Sequence, residues 1–204
     1  MLRTPGDTAD TVSQKIKEGF KDNPAQVLRI EKVGPVAGKE LQQKAILALS
    51  LSLLGILIYV AFRFKHFNFA IAGIIALFHD ILITVGVLAL TNRQIDLLIV
   101  TALLTIAGYS INDTIVIYDR VRENLRLRHK LSLAEVINLS VNQTLSRTLL
   151  TSGVTLLVVI AMFFWGGAVL HNFAFSLLVG FISGVYSTVF IASPLVLAWA
   201  KRSK

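Results

Sequence analysis

Five long apolar runs constrain this 204-residue chain more than any other feature; they lie at 45–62, 69–91, 97–118, 149–168 and 173–200. A helix needs about 20 apolar residues to cross the hydrocarbon of a bilayer, and a run of that length is read first as a membrane span. The first run is a little short, but Lys44 and Arg63 at its ends can extend their head groups to the interface. The runs are continuously apolar rather than alternating, which favours helices over a β-barrel. Only 16% of the residues are charged, against about 25% in soluble domains. Those charges crowd into 1–44, 63–66, 119–147 and 201–204, leaving the runs between almost bare.

Lys and Arg set the orientation. Arg63 and Lys65 follow the first run. Arg120, Arg122, Arg126, Arg128, Lys130 and Arg147 lie between the third and fourth, and Lys201, Arg202 and Lys204 follow the fifth. These three connections fall on one side of a five-span chain, while the opposite short loops carry only Arg93. The basic side is therefore expected to be cytoplasmic. The net charge of +8 belongs largely to this bias, and no nucleic-acid partner is expected. The same reasoning puts residues 1–44 outside, although they hold eight Lys and Arg. The expectation is that a further span precedes them in the parent protein.

Residues 1–44 read as the C-terminal part of an extracytoplasmic α/β domain. Asp7 can cap a helix reaching about Phe20, with Val12, Ile16 and Phe20 on one face. Asn23-Pro24 interrupts it, and Gln26 to Val33 alternates as a strand. About 40 residues seldom bury enough surface to fold alone, so this segment is expected to complete a larger domain.

Ionisable residues inside the spans carry the functional signal. Asp113 lies in the third run, and His79-Asp80 lie mid-way along the second. A charged side chain at the bilayer centre costs about 2.5–3.5 kcal/mol on insertion scales, so function is the first reading. The plainer one is a polar group that only helps helices pack. Thr105, Tyr109, Asn112 and Asp113 follow i, i+4, i+7, i+8, a polar stripe expected to face the bundle interior or a watery path. Gln143, Arg147, Thr151 and Thr155 form a second stripe at the start of the fourth span. Arg147 could meet Asp113 at similar depth, or simply be an interfacial positive-inside residue. An apolar surround favours a neutral acid and a guanidinium favours the carboxylate. A carboxyl set between the two can exchange protons near neutral pH.

Ser176, Gly180, Gly184 and Thr188, with Ala192, recur every four residues and make a small-residue face for close helix packing. Pro194 is placed to kink the last span. Ser132-Leu133-Ala134-Glu135 has capping-box form, and Leu133, Ile137, Val141 and Leu145 then make a narrow apolar face. Residues 124–146 are thus expected to form an amphipathic segment on the cytoplasmic membrane surface, leading into the fourth span. No cysteine is present, no phosphate-binding G-x-x-x-x-G-K-[ST] loop occurs, and His79-Asp80 lacks companions at metal-ligand spacing. No enzyme activity, cofactor or metal is expected.

Longer motifs add a family resemblance. LLTIAGYSINDTIVIYDRVREN, Leu103 to Asn124, resembles the fourth-helix signature of the SecF family of protein-export membrane proteins, within the SecD/SecF family and the RND superfamily. VGPVAGKEL (Val33 to Leu41), FHD (Phe78 to Asp80), VNQTLSRT (Val141 to Thr148) followed by Thr151-Ser152, and FIASPL (Phe190 to Leu195) resemble further family segments in the same order. GYSINDT with VNQTLSRT is specific; FHD alone is weak. The resemblance implies an all-α, SecDF-like membrane bundle lacking the family's first helix and the first half of its outer domain. It implies SecD as pseudo-symmetric partner, association with the SecYEG channel, with YajC and YidC as further partners, and proton-driven assistance of preprotein export across the bacterial plasma membrane. By the same resemblance Asp113 and Arg147 are implicated in proton transfer; the polar stripe adds the expectation that Asn112, Tyr109 and Thr105 line the route. The alternatives are a small-molecule efflux transporter of the same superfamily and a purely structural subunit. Intramembrane acid alone does not separate the first of these from export.

Overall fold

The computed structural model describes residues 9–19, 35–64 and 67–202, and all its described regular structure is helical. The chain divides into two compact units, 1–46 and 47–204. In the first, α1 runs Ala9–Gly19 with Val12 and Ile16 half-buried, as an amphipathic helix requires. Asp7, Phe20 and the strand expected at 26–33 lie outside the described residues, so the α/β character of this segment rests on the sequence alone.

Among the described residues, five helices are long and apolar enough to span a membrane: Gln42–Phe64, Asn68–Leu90, Leu97–Leu127, Leu133–Trp165 and Gly167–Trp199. They belong to α2 (Pro35–Phe64), α3 (Phe67–Leu90), α4 (Leu97–Leu127), α5 (Leu133–Trp165), and to α6 (Gly167–Ser187) continued by α7 (Ser193–Arg202). Pro35 opens α2 at a position where its missing N–H costs nothing. Asp96 caps α4, its carboxylate accepting from the Ile99 N–H at 2.9 Å. The capping box of α5 is closed in both directions: Ser132 Oγ accepts from the Glu135 N–H, and Glu135 Oε2 accepts from the Ser132 N–H at 2.8 Å.

Some boundaries differ from expectation. The amphipathic helix expected over 124–146, leading into the fourth span, is divided differently. Residues 124–127 finish α4, a short connection follows, and from Leu133 the chain continues without a break into the fourth span. Once the capping box has started a helix, nothing between Leu133 and Trp165 stops it. The fourth span also ends earlier than 168. Gly166 closes α5, and a Cβ there would lie 2.3 Å from the Met162 carbonyl oxygen. Gly167 sits at φ +74°, a left-handed conformation that glycine adopts freely. The fifth span therefore starts at once, at 167 rather than 173.

Pro194 does mark an irregularity. Between α6 and α7 the chain makes a π-helical turn over Thr188–Ala192. Proline has no N–H to donate, and its ring crowds the carbonyl four residues back; a widened turn relieves that crowding. The Ser193 hydroxyl donates to the Thr188 carbonyl at 3.0 Å, and Tyr118 Oη to the Ala192 carbonyl at 3.4 Å.

In the second unit α4 packs against α3, α5 and α6. Two apolar clusters hold this bundle. One gathers Leu77, Ile117, Tyr118, Val121 and Ala192, with Phe64, Phe69 and Tyr118 stacked or edge-on at 4.9–5.9 Å between ring centroids. The other gathers Ile81, Leu103, Ile106, Leu177 and Phe181. Between them along α3, α4 and α6 lies a polar layer: Asp80, Ser110, Thr114, Ser183, Ser187 and Thr188, all buried.

Candidate functional site: two intramembrane carboxyl groups

The polar stripe of α4 is not uniformly interior. Asp113 is 7% exposed and Tyr109 half-buried, whereas Thr105 and Asn112 are exposed. At 100° per residue the four positions spread over an arc of roughly 100°. Asp113 and Tyr109 lie at the end of that arc that meets α5, and Thr105 and Asn112 at the uncovered end. The stripe therefore sits on the boundary of the bundle.

Asp113 is held from one side only. Thr148 Oγ1 donates to its Oδ1 at 2.6 Å. Arg147 Nη1 stands 3.9 Å from the same oxygen, too far for a hydrogen bond, on a side chain that is 45% exposed. Asp113 Oδ2 is buried without a hydrogen-bond partner. Buried polar atoms are nearly always bonded, so a bare carboxyl oxygen calls for an explanation. Tyr109 Oη donates to Thr155 Oγ1 at 3.1 Å, and its ring packs 4.3 Å from that of Phe181. Gln143, Arg147 and Thr151 of the second stripe are exposed, with Thr155 half-buried.

Asp80 has the opposite environment. It is 0% exposed, and both oxygens are filled. Ser183 Oγ donates to Oδ1 at 2.8 Å, and His79 Nδ1 lies 3.2 Å from the same oxygen. Ser110 and Ser187 donate to Oδ2 at 2.7 and 2.8 Å. Three helices thus converge on one carboxyl group. His79 lies at the outer edge of this group, its side chain 31% exposed and its ring 6.3 Å from that of Tyr186.

The small-residue face of α6 makes this convergence possible. Ser176, Gly180, Gly184 and Thr188 are all buried. A Cβ on Gly180 would come within 2.2 Å of Ile106, and one on Gly184 within 3.2 Å of Ser110 Cβ. Thr188 and Thr114 share a hydroxyl–hydroxyl hydrogen bond at 3.1 Å. With no side chain at 180 and 184, α6 lies directly against side chains of α4, and at this level Ser183 and Ser187 reach Asp80.

Sequence reasoning overlooked the hydroxyls that bond the acids. Ser140, Thr144, Thr148 and Ser152, four apart, are the buried polar face of α5, one residue along from the stripe that was singled out. Ser183 and Ser187 are likewise an i, i+4 pair. Such spacing was a usable signal, though serine and threonine are common enough in spans to pass unnoticed.

Fold and site together define a class: a multi-pass helical membrane protein that carries one saturated and one half-bonded carboxyl group within its spans. Comparison with known proteins gives the family. A profile of the protein-export membrane protein SecD/SecF C-terminal family matches residues 12–202, and the chain belongs to that family. It is 43% identical over 188 residues to the protein translocase subunit SecF of Endomicrobium trichonymphae, covering 92% of this chain and 61% of that one. It is 46% identical to SecF of Koribacter versatilis, over 94% of this chain and 47% of the relative. The protein translocase subunit SecDF of Thermus thermophilus is 48% identical over 88% of this chain and 24% of its own length. The crystal structure of SecDF from that organism, described as a translocon-associated membrane protein, superposes with a TM-score of 0.86 at 44% identity, covering 95% of this chain and 27% of that one. A second SecDF structure, in a super-membrane-facing form, gives 0.80 at 42% identity over 96% of this chain and 27% of its own. The chain therefore spans about half to two-thirds of the SecF relatives it matches, and about a quarter of the fused ones.

Proposed function

We propose that this chain is the membrane portion of a SecF-type subunit, which with a SecD partner uses the proton-motive force to assist preprotein translocation across the bacterial plasma membrane. The carrying observation is Asp113: a buried carboxyl with one oxygen hydrogen-bonded and the other free to accept a proton. When the acid is charged, Arg147 can close its 3.9 Å gap and supply the counter-charge. When it is protonated, that attraction vanishes and the guanidinium relaxes outward. Each proton thus alters the α4–α5 seam. Tyr109, Asn112 and Thr105 extend polar surface along α4 from that seam and line the route, with protons entering from the outer side. The basic connections face the cytoplasm and residues 1–44 the exterior.

Exposure of Thr105, Asn112 and Arg147 at the bundle boundary supports a partner that completes the path. The fused SecDF relatives make SecD the natural occupant of that position. SecYEG, YajC, YidC and the moving preprotein are the further partners in this reading.

Asp113→Asn in the full-length subunit, assembled with its SecD partner in proteoliposomes, should abolish the gain in preprotein translocation from an imposed proton gradient. The amount of assembled complex should be unchanged. Wild-type stimulation in that variant would rule the reading out.

A further inference from the structure

The family resemblance places FHD among its motifs but leaves Asp80 without a task, and the half-bonded Asp113 does not need it as a second carrier. Three serine hydroxyls and the His79 ring nitrogen surround its two oxygens, the usual number of partners a carboxylate takes. What the group does have is reach: its bonds tie α3 to α4 through Ser110 and to α6 through Ser183 and Ser187. Ser110 lies on α4 three residues before Asp113, so the two acids act on neighbouring faces of one helix. On one side α4 is pinned by Asp80–Ser110 and by Thr114–Thr188; on the other it presents Asp113 to Thr148. The nearby glycine contacts, with Gly184 against Ser110 and Gly180 against Ile106, put the closest approach of α4 and α6 at this same level.

We propose that Asp80 is a positioning residue: caged by Ser110, Ser183 and Ser187, it fixes the rotation of α4 and so holds Asp113 against Thr148. This inference rests on the proton-carrying reading of Asp113, and its test keeps the two apart. His79 is the titratable side chain bonded to the cage. It lies at the cage's outer edge and is not required for the tie, which the three serines make by themselves.

The test uses the full-length subunit assembled with its SecD partner. Infrared difference spectra between low and high pH report the C=O stretch of protonated Asp113, identified as the band lost in Asp113→Asn. In Asp80→Ala the loosened α4 should weaken the Thr148 bond, so that band should move to higher frequency. Proton-driven translocation should fall on the order of tenfold to a hundredfold, the scale on which small displacements of a working group are felt. Asp80→Asn should keep both near wild type, because its amide oxygen accepts and the serine hydroxyls can turn to meet its NH2. Ser110→Ala, which removes a single tie and leaves the cage three donors, should move the band in the same direction by less; it decides the matter if Asp80→Ala does not assemble. An unmoved Asp113 band in whichever of these two variants assembles overturns the proposal. So does Asp80→Asn behaving like Asp80→Ala, since then the ionisable group itself would be needed. Normal proton-driven translocation in Asp113→Asn would instead sink the functional reading, while the band shift could still be read.

Discussion

Gly180→Ala should be a damaging single-methyl change at the contact of α4 with α6. An added Cβ would lie 2.2 Å from Ile106 Cδ1, 2.4 Å from Cγ1 and 2.9 Å from Cγ2. Ile106 is fully buried. It is β-branched, so in a helix its side chain is largely confined to one rotamer and cannot swing aside as a leucine or methionine would. The helices must separate, and overpacking of this kind costs about 1–3 kcal/mol. Separation also carries Ser183 and Ser187 away from Asp80. Gly184→Ala is the graded comparison: its nearest neighbours, Ser110 Cβ at 3.2 Å and Oγ at 3.3 Å, need give only a few tenths of an ångström. Gly108 has nothing within 4 Å of an added Cβ and serves as the control; there alanine should stabilise by roughly 0.5–1 kcal/mol through backbone entropy.

A double-mutant cycle isolates the contact. Ile106→Ala alone leaves a cavity and costs about 2–5 kcal/mol. In the double variant the alanine at 180 occupies space that Ile106 has vacated, so the penalties should fail to add, with a coupling of about 0.5–3 kcal/mol in the favourable direction. Thermal unfolding of the purified complex in one detergent, followed by a tryptophan or circular-dichroism signal, supplies the four stabilities. Strict additivity, or a Gly180→Ala protein as stable as Gly108→Ala, would refute the close approach of α4 and α6 from which the Asp80 cage follows.

Two smaller changes test the local devices. Thr148→Val keeps the shape but removes the hydroxyl that bonds Asp113, and should cost about 0.5–2 kcal/mol, the range for interhelical hydrogen bonds in membranes; Thr148→Ser should recover most of it in the same unfolding assay. Ser132→Ala removes the hydroxyl half of the capping box, leaving the Ser132 N–H to Glu135, and should lower stability by about 1 kcal/mol, seen first as faster amide exchange in the opening turn of α5.

The number of spans was legible because hydrocarbon imposes a length and excludes charge, and both show in a single sequence. Helix ends were less so. Gly166 and Gly167 form a two-residue reversal that hydropathy averages into the surrounding apolar run, and the continuity of α5 from Leu133 is hidden because its opening turns are polar. Asp113 stood out for the same reason as the spans: an ionisable residue amid apolar ones is conspicuous. Which of its neighbours would touch it was not. Periodicity places Arg147 and Thr148 equally near the start of the fourth span, and only the rotation of α5 decides that threonine, not arginine, makes the short bond.

That difference points to how hydroxyls work in this bundle. A serine or threonine in a membrane helix can always bond a carbonyl of its own preceding turn, and many here do. Thr84 donates to Asp80 O, Thr101 to Leu97 O, Thr105 to Thr101 O, Thr151 to Arg147 O and Ser176 to Asn172 O. Those groups are satisfied locally and carry no information between helices. Ser110, Ser183 and Thr148 reach across to a carboxyl group instead, and Ser187 donates both to Asp80 and to its own helix. Because the local acceptor is always on offer, each such cross-link can be released without stranding a buried donor. What release costs depends on the acceptor: a protonated acid is left neutral, whereas a carboxylate would be left as a bare charge in hydrocarbon. Asp113 sits where α4 and α5 meet through two such hydroxyl links, Thr148 to Asp113 and Tyr109 to Thr155. Asp80 sits where α4 and α6 meet through several. On the proposed function, a proton taken up by Asp113 would act first on the α4–α5 seam at the Thr148 bond, while the links through Asp80 and Thr188 hold the other side of α4.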